Sequence, residues 1–343
     1  MSPQTAPFKC TARTDRARLR ERWCQPWVAT MLALLAAACT SHPRRSEPPL
    51  PPPRDAEFLP GDGGERLYIA IAGAASARAV VWYVVGSEVG SGALYPQLSQ
   101  ALHQAGIATA VLHPRGTGYS SGLRGDVADY RRVLGDYDVF HRHLQDRFRG
   151  RPLFLLGHSA GAAFALHVAA EAHAGIAGLV LVNPAYKLRY AKGMGPSAAD
   201  YIVYAGNYVF RPSALTVDMN RDPAAIGDAA DRAEGFAMQR DPLVVRYFSL
   251  RYMFAQKQVM DRCAAHIAAT DAPLLLLQGA HDALVDPAGT DQLFAAARTH
   301  DKTRLIADGA GHGSTAVETQ VPALLDWLNR HIPAPTSPPD LAH

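Results

Sequence analysis

The chain has 343 residues, of which 48% are apolar and 19% charged, with a formal net charge of +3. That balance excludes a disordered protein and suits one large globular domain or two small ones, each able to bury a core. Lys9, Arg13, Arg16, Arg18, Arg20 and Arg22 stand against only Asp15 and Glu21 in residues 1–38, which leaves 28 basic and 29 acidic residues in the remainder. The basic excess therefore belongs to the N-terminus, and no nucleic-acid partner is implied.

The basic stretch precedes an uncharged apolar run, 28–39, the order of a secretory signal. About a dozen residues fall short of the roughly 20 that a bilayer-spanning helix needs. The run ends Leu35-Ala36-Ala37-Ala38-Cys39, which resembles a bacterial lipobox, with Ala36 where that pattern prefers Leu. The resemblance implies that the signal peptide 1–38 is removed and that Cys39 carries lipid. Thr40 follows instead of Asp, which implies an outer-membrane anchor facing the periplasm; a plain cleaved signal, giving a periplasmic or secreted protein, or an uncleaved anchor are the alternatives. Of the four cysteines only Cys39 and Cys263 would survive such processing, so the fold is expected to stand without disulfides.

Residues 39–57 are proline-rich and polar, a composition that cannot form a helix or a central strand, and read as an extended tether. A similar tail, 333–343, is expected to fray. Between them, over 58–332, apolar runs at 67–72, 80–85, 107–112, 153–156, 179–182, 274–277 and 303–306 alternate with helical stretches at 95–104, 127–148, 160–173, 287–297 and 322–330. Short apolar runs separated by helices predict an α/β fold, its mostly parallel sheet covered by helices on both faces. The interval 185–272 is too long for a loop and predicts a mostly helical lid.

Three places carry chemistry. Gly157-His158-Ser159-Ala160-Gly161 lies between an apolar strand and an alanine-rich helix, the context a nucleophile elbow requires. The five-residue pattern alone is weak; a serine capping an ordinary strand-to-helix turn is its plain alternative. Downstream, Gln278-Gly279-Ala280-His281-Asp282 ends a buried strand, and α/β sheets place their sites beyond such ends. Asp286, just before Pro287, suits a helix cap better. Finally Gly309-Ala310-Gly311-His312 follows the last apolar run. The chain order Ser, Asp, His is the one this kind of sheet uses, and serine needs such a base and acid to become nucleophilic.

These motifs, with His113-Pro114-Arg115-Gly116-Thr117-Gly118-Tyr119-Ser120 and Arg240-Asp241-Pro242-Leu243-Val244, resemble the monoacylglycerol lipase and lysophospholipase branch of the α/β-hydrolase superfamily. The resemblance implies an esterase that forms an acyl-enzyme on Ser159, with His312 as base and Asp282 orienting it. It also implies an oxyanion hole from the backbone N–H of Ala160 and of Ser87, with Glu88 as the other choice. Val85-Gly86 replaces that branch's His-Gly, and His113 replaces an Asp. Arg115 and its glycines read as loop architecture and not as a phosphate site. No cofactor and no metal are expected, and the implied partners are a small acyl ester or lipid substrate and the membrane.

The lid's aromatic residues, Tyr204 and Phe248 among them, are candidates to line an acyl-chain groove or to pack the lid on itself. A thioesterase, a peptidase or an acyltransferase of the same fold stays open, as does a non-catalytic envelope lipoprotein. A pure scaffold, however, has no physical need for Ser159 and His312 together.

Overall fold

The computed structural model describes residues 42–333 apart from 75, 87–88, 172–174, 190–195 and 220–222. The signal, Cys39 and the tail 334–343 lie outside the described residues. Among those described, no helix is long and apolar enough to cross a membrane.

Ten strands are present among the described residues. Eight form one sheet: β1 (Glu57–Pro60), β2 (Arg66–Ala72), β3 (Ala79–Val84), β4 (Ile107–Leu112), β5 (Leu153–His158), β6 (Ile176–Val182), β9 (Leu274–Gly279) and β10 (Lys302–Ala307). Their order is β1-β2-β4-β3-β5-β6-β9-β10. β1 and β2 run antiparallel at one edge, and the other six are mutually parallel. All seven expected runs are strands; the added one, β1, was placed with the tether at its first residue. Its four residues are too few to show alternation, and it exists by pairing Phe58 with Tyr68 across β2.

The apolar runs are continuous because both faces of the sheet are covered. Leu274 and Leu276 enter one core with Trp82, Phe140 and Phe164; Leu275 and Leu277 enter the other with Tyr83, Leu98 and Trp327. Each of these four leucines is at most 1% exposed, and full burial of one such side chain contributes about 1.5–3 kcal/mol. The covering helices are α1 (Pro96–Gln104), α2 (Arg131–Arg147), α3 (Ala160–Glu171), α8 (Pro287–Ala296), α9 (Thr315–Glu318) and α10 (Val321–His331). Proline opens α1 and α8, where its missing N–H costs nothing.

The interval after β6 holds α4 (Ala198–Phe210), β7 (Leu215–Asp218), α5 (Ala229–Arg240), β8 (Tyr247–Ser249), α6 (Leu250–Asp261) and α7 (Cys263–Ala268). β7 and β8 pair as a small antiparallel sheet within a mostly helical interval. Its last part also belongs to the body, since Val259, Met260, Cys263 and Ile267 are buried in the core that α3 enters.

The proline-rich segment is more than a free tether. His42 bridges Leu215 in β7 and stacks on Tyr247 of β8, with ring centroids 3.3 Å apart. Backbone carbonyls of Arg45 and Ser46 accept from Arg124 and Gly122, and Arg44 pairs with Asp126. The buried Asp126 also accepts from Ser249 Oγ at 2.6 Å and from Arg251, so the N-terminal strap, the insertion and the body meet at one carboxylate.

Candidate active site

Ser159 sits between β5 and α3 with φ of 53°, a left-handed conformation that costs a non-glycine residue about 1–2 kcal/mol. Its surroundings hold it there. The Ser159 N–H donates to Val182 at 2.9 Å, and its carbonyl accepts from Ala162 and Ala185, each at 3.1 Å. The flanking glycines permit the close approach: a Cβ on Gly157 would stand 2.7 Å from Ala162 Cα, and one on Gly161 would stand 2.1 Å from Val84 O. Ala160 opens α3, so its N–H has no intrahelical acceptor and is available beside the hydroxyl.

The structure brings the three sequence-predicted residues together. His312 Nε2 lies 2.9 Å from Ser159 Oγ, and His312 Nδ1 lies 2.8 Å from Asp282 Oδ2. Asp282 is fully buried at its side chain. Its Oδ1 accepts the N–H groups of Leu284 and Val285 at 2.8 and 2.9 Å, and Gln278 Nε2 reaches Oδ2 at 3.3 Å. Burial pushes this carboxyl up, but the His312 bond and charge and the two amides outweigh it and hold it below the usual carboxylate range. Asp286 takes no part: it is the N-cap of α8 and accepts from Ala288 at 3.0 Å.

Of the expected oxyanion donors, Ser87 and Glu88 lie outside the described residues. Their neighbour Gly86 abuts the elbow, where an added Cβ would stand 3.1 Å from Ala160 Cβ. Tyr204 on α4 is half-buried against the core. Phe248, by contrast, is 1% exposed and packs on Tyr252 at 4.9 Å between centroids, as the packing alternative of its two readings expects. Arg115 grips the buried Asp136 through two nitrogens, at 2.8 and 2.6 Å, and donates to Asp62 O, so it is loop architecture as expected. His113 is buried, stacks on Tyr119 and accepts its N–H at 3.1 Å; burial pushes its pKa down to about 3.

Several supporting residues had no signal in the sequence. Asn183, itself at φ of 42°, accepts from Gly279 at 2.7 Å and donates to the carbonyls of Gly311 and His312 at 3.1 and 3.0 Å. One amide thus ties the acid loop to the histidine loop. His158 Nε2 meets the His312 carbonyl at 2.6 Å, so that nitrogen carries the proton and Nδ1 accepts from Tyr95 Oη at 2.9 Å. Burial, helped by the nearby His312, pushes the His158 pKa down to about 4, which keeps this ring neutral. The His312 N–H in turn donates to Asp231 of α5 at 2.5 Å. Such partners are found only when distant loops meet, because Asn, His and Asp at isolated positions carry no local periodicity.

A serine hydroxyl in contact with an imidazole whose other nitrogen meets a buried carboxylate can lose its proton to that ring as it attacks a carbonyl. Residues 75–320 match the family model described as serine aminopeptidase, S33. The chain is 28% identical to monoglyceride lipase of Homo sapiens over 276 residues, 79% of this chain and 88% of that protein. It is similar to the crystal structure of Paleococcus ferrophilus monoacylglycerol lipase, with 26% identity, a TM-score of 0.63, and coverage of 77% of this chain and 99% of the other. The fold is shared with a soluble variant of monoglyceride lipase from Saccharomyces cerevisiae in complex with a substrate analog, at 21% identity and a TM-score of 0.68, over 84% of this chain and 100% of the other. The chain belongs to the serine aminopeptidase S33 family of α/β-hydrolases.

Proposed function

We propose that the protein is a serine esterase that cleaves carboxylic esters of single acyl chains, monoacylglycerol- or lysophospholipid-like, through an acyl-enzyme. The observation that carries this reading is the unbroken contact from Ser159 Oγ to His312 to Asp282 at the elbow. Ser159 Oγ attacks the ester carbonyl while His312 Nε2 takes its proton. The negative oxygen of the tetrahedral intermediate is held by the Ala160 N–H and by a second N–H from the 86–88 loop, Ser87 in our assignment. His312 then protonates the leaving alcohol. A water molecule, deprotonated by the same ring, releases the fatty acid and restores Ser159.

The lipid character of the substrate is supported by the monoglyceride lipases to which the chain is similar and by the apolar outer face of the insertion. There Tyr201, Ile202, Tyr208, Val209, Phe210 and Phe254 are each at least half exposed. Patches of this kind meet lipid or substrate more often than water alone. A lipid-anchored Cys39 at the outer membrane, facing the periplasm, would keep this face close to its substrate.

The test is labelling by a fluorophosphonate followed by an ester panel. Labelling lost in Ser159→Ala, with the highest kcat/KM on monoacyl esters, is the expected result. Faster turnover of thioesters or aminoacyl amides than of any ester would move the protein to a thioesterase or peptidase, and no labelling at all would make it a binding protein.

A further inference from the structure

Helix α5 of the insertion begins Asp228-Ala229-Ala230-Asp231-Arg232-Ala233-Glu234. Asp228 is its N-cap and accepts the Asp231 N–H at 2.9 Å, so the helix start is satisfied without the Asp231 side chain. Asp231 and Glu234, three residues apart, share one face of the helix. That face meets the loop that carries His312. Asp231 Oδ2 accepts the His312 N–H at 2.5 Å, and Oδ1 accepts the Gly313 N–H at 2.9 Å. Glu234 Oε2 accepts both the N–H and the hydroxyl of Ser314, at 2.9 and 2.7 Å. Three consecutive amides of the histidine loop thus end on two carboxylates of the insertion.

The glycines around His312 make room for them. A Cβ on Gly311 would stand 2.1 Å from Asp231 Oδ2, and one on Gly313 would stand 2.6 Å from Glu234 Oε2 and 2.7 Å from Asp231 Oδ1. Asp231 is only 7% exposed. Burial raises its pKa, and the two loop amides and the nearby His312 only partly offset this. A desolvated carboxylate is costly unless its bonds are well used, and here they are spent on the main chain of His312. The opposite side of that main chain, the His312 carbonyl, is held by His158, the last residue of β5, and by Asn183, which directly follows β6. The catalytic loop is gripped from the body on one side and from the insertion on the other.

We infer that Asp231, seconded by Glu234, is a positioning residue for His312, and that the insertion completes the alignment of His312 with Ser159 only while α5 is docked on the loop. The inference rests on Ser159, His312 and Asp282 being the catalytic residues. It makes the insertion part of the hydrolytic machinery as well as a cover for the substrate. If the two acids serve only to fasten the insertion to the body, their loss changes binding or stability and leaves the reactivity of Ser159 intact.

Inactivation of the full chain by a small fluorophosphonate separates the two, because kinact reads the serine–histidine pair and KI reads binding. Asp231→Ala is expected to lower kinact about 10- to 100-fold, the range expected when a reacting group is displaced by an ångström or less, with KI unchanged. Asp231→Asn keeps one acceptor oxygen and is expected to recover part of the loss. An unchanged kinact in both variants, or an effect confined to KI, overturns the positioning role. If Asp231→Ala does not fold, Asp231→Asn and Glu234→Gln decide by the same two constants. Ser159→Ala distinguishes the failures: if it is still labelled at the wild-type rate, the catalytic assignment is wrong, whereas its silence beside fully reactive Asp231 variants defeats the positioning role alone.

Discussion

Asp282 Oδ2 stands 2.8 Å from His312 Nδ1, while the other oxygen of the same carboxylate is occupied by two backbone amides. The acid is therefore held against rotation, with Gln278 Nε2 donating at 3.3 Å to the same oxygen that meets His312. Asp282→Asn should leave a folded protein whose kcat falls by about 10⁴-fold, because the amide no longer selects the tautomer that the base requires. Asp286→Asn should cost little activity and at most about 1 kcal/mol, since asparagine caps a helix nearly as well as aspartate. Steady-state kinetics on the two variants, with circular dichroism as the folding control, check the order.

His158 predicts a pH-dependent stability. Its pKa in the folded protein is about 4, against 6.5 for the free group, because burial disfavours the cation. Above pH 6.5 the ring is neutral in both states and costs nothing. As pH falls from 6.5 towards 4 only the unfolded chain takes up the proton, so the folded state loses stability, by on the order of 3 kcal/mol at the lower end. Urea unfolding at pH 7 and pH 4.5 should show a smaller loss in His158→Gln than in the wild-type protein. Equal losses would mean that the other buried histidines carry the effect.

Tyr204 and Phe248 should behave differently although both were candidates for the acyl groove. Phe248→Ala removes a fully buried ring and should destabilise the protein by about 3–5 kcal/mol, seen as a lower midpoint of unfolding. Tyr204→Ala leaves the core intact and should lower kcat/KM for long-chain esters relative to short ones by about tenfold. A uniform loss on every chain length would take Tyr204 out of the substrate path.

Cys39→Ala should release the protein from the membrane fraction of a bacterial host and leave its hydrolytic activity in the soluble fraction. Retention of an unprocessed chain in the membrane would identify the apolar run 28–39 as a different kind of anchor.

Local signals carried most of the fold and of the candidate site. Strands buried on both faces are continuous apolar runs, so the leucines of β9 were visible without any knowledge of what covers them. The elbow was visible because its glycines and small residues are required within five positions of Ser159, where sequence and space nearly coincide. Asp282 could be preferred to Asp286 because a proline at the following position gave Asp286 another task.

Tertiary structure decided whatever depends on residues far apart in the chain. Strand β1 exists only because β2 offers it an edge, and α6 and α7 join the body because α3 presents a surface for Val259 and Ile267. Asp231 is one more acid in the first turn of α5, and nothing in the residues around it marks it out. What makes it a partner of His312 is the docking of α5 on a loop 81 residues further along the chain. Periodicity and motif spacing record what a residue does within its own element; a hydrogen bond between two elements is settled by how their surfaces pack.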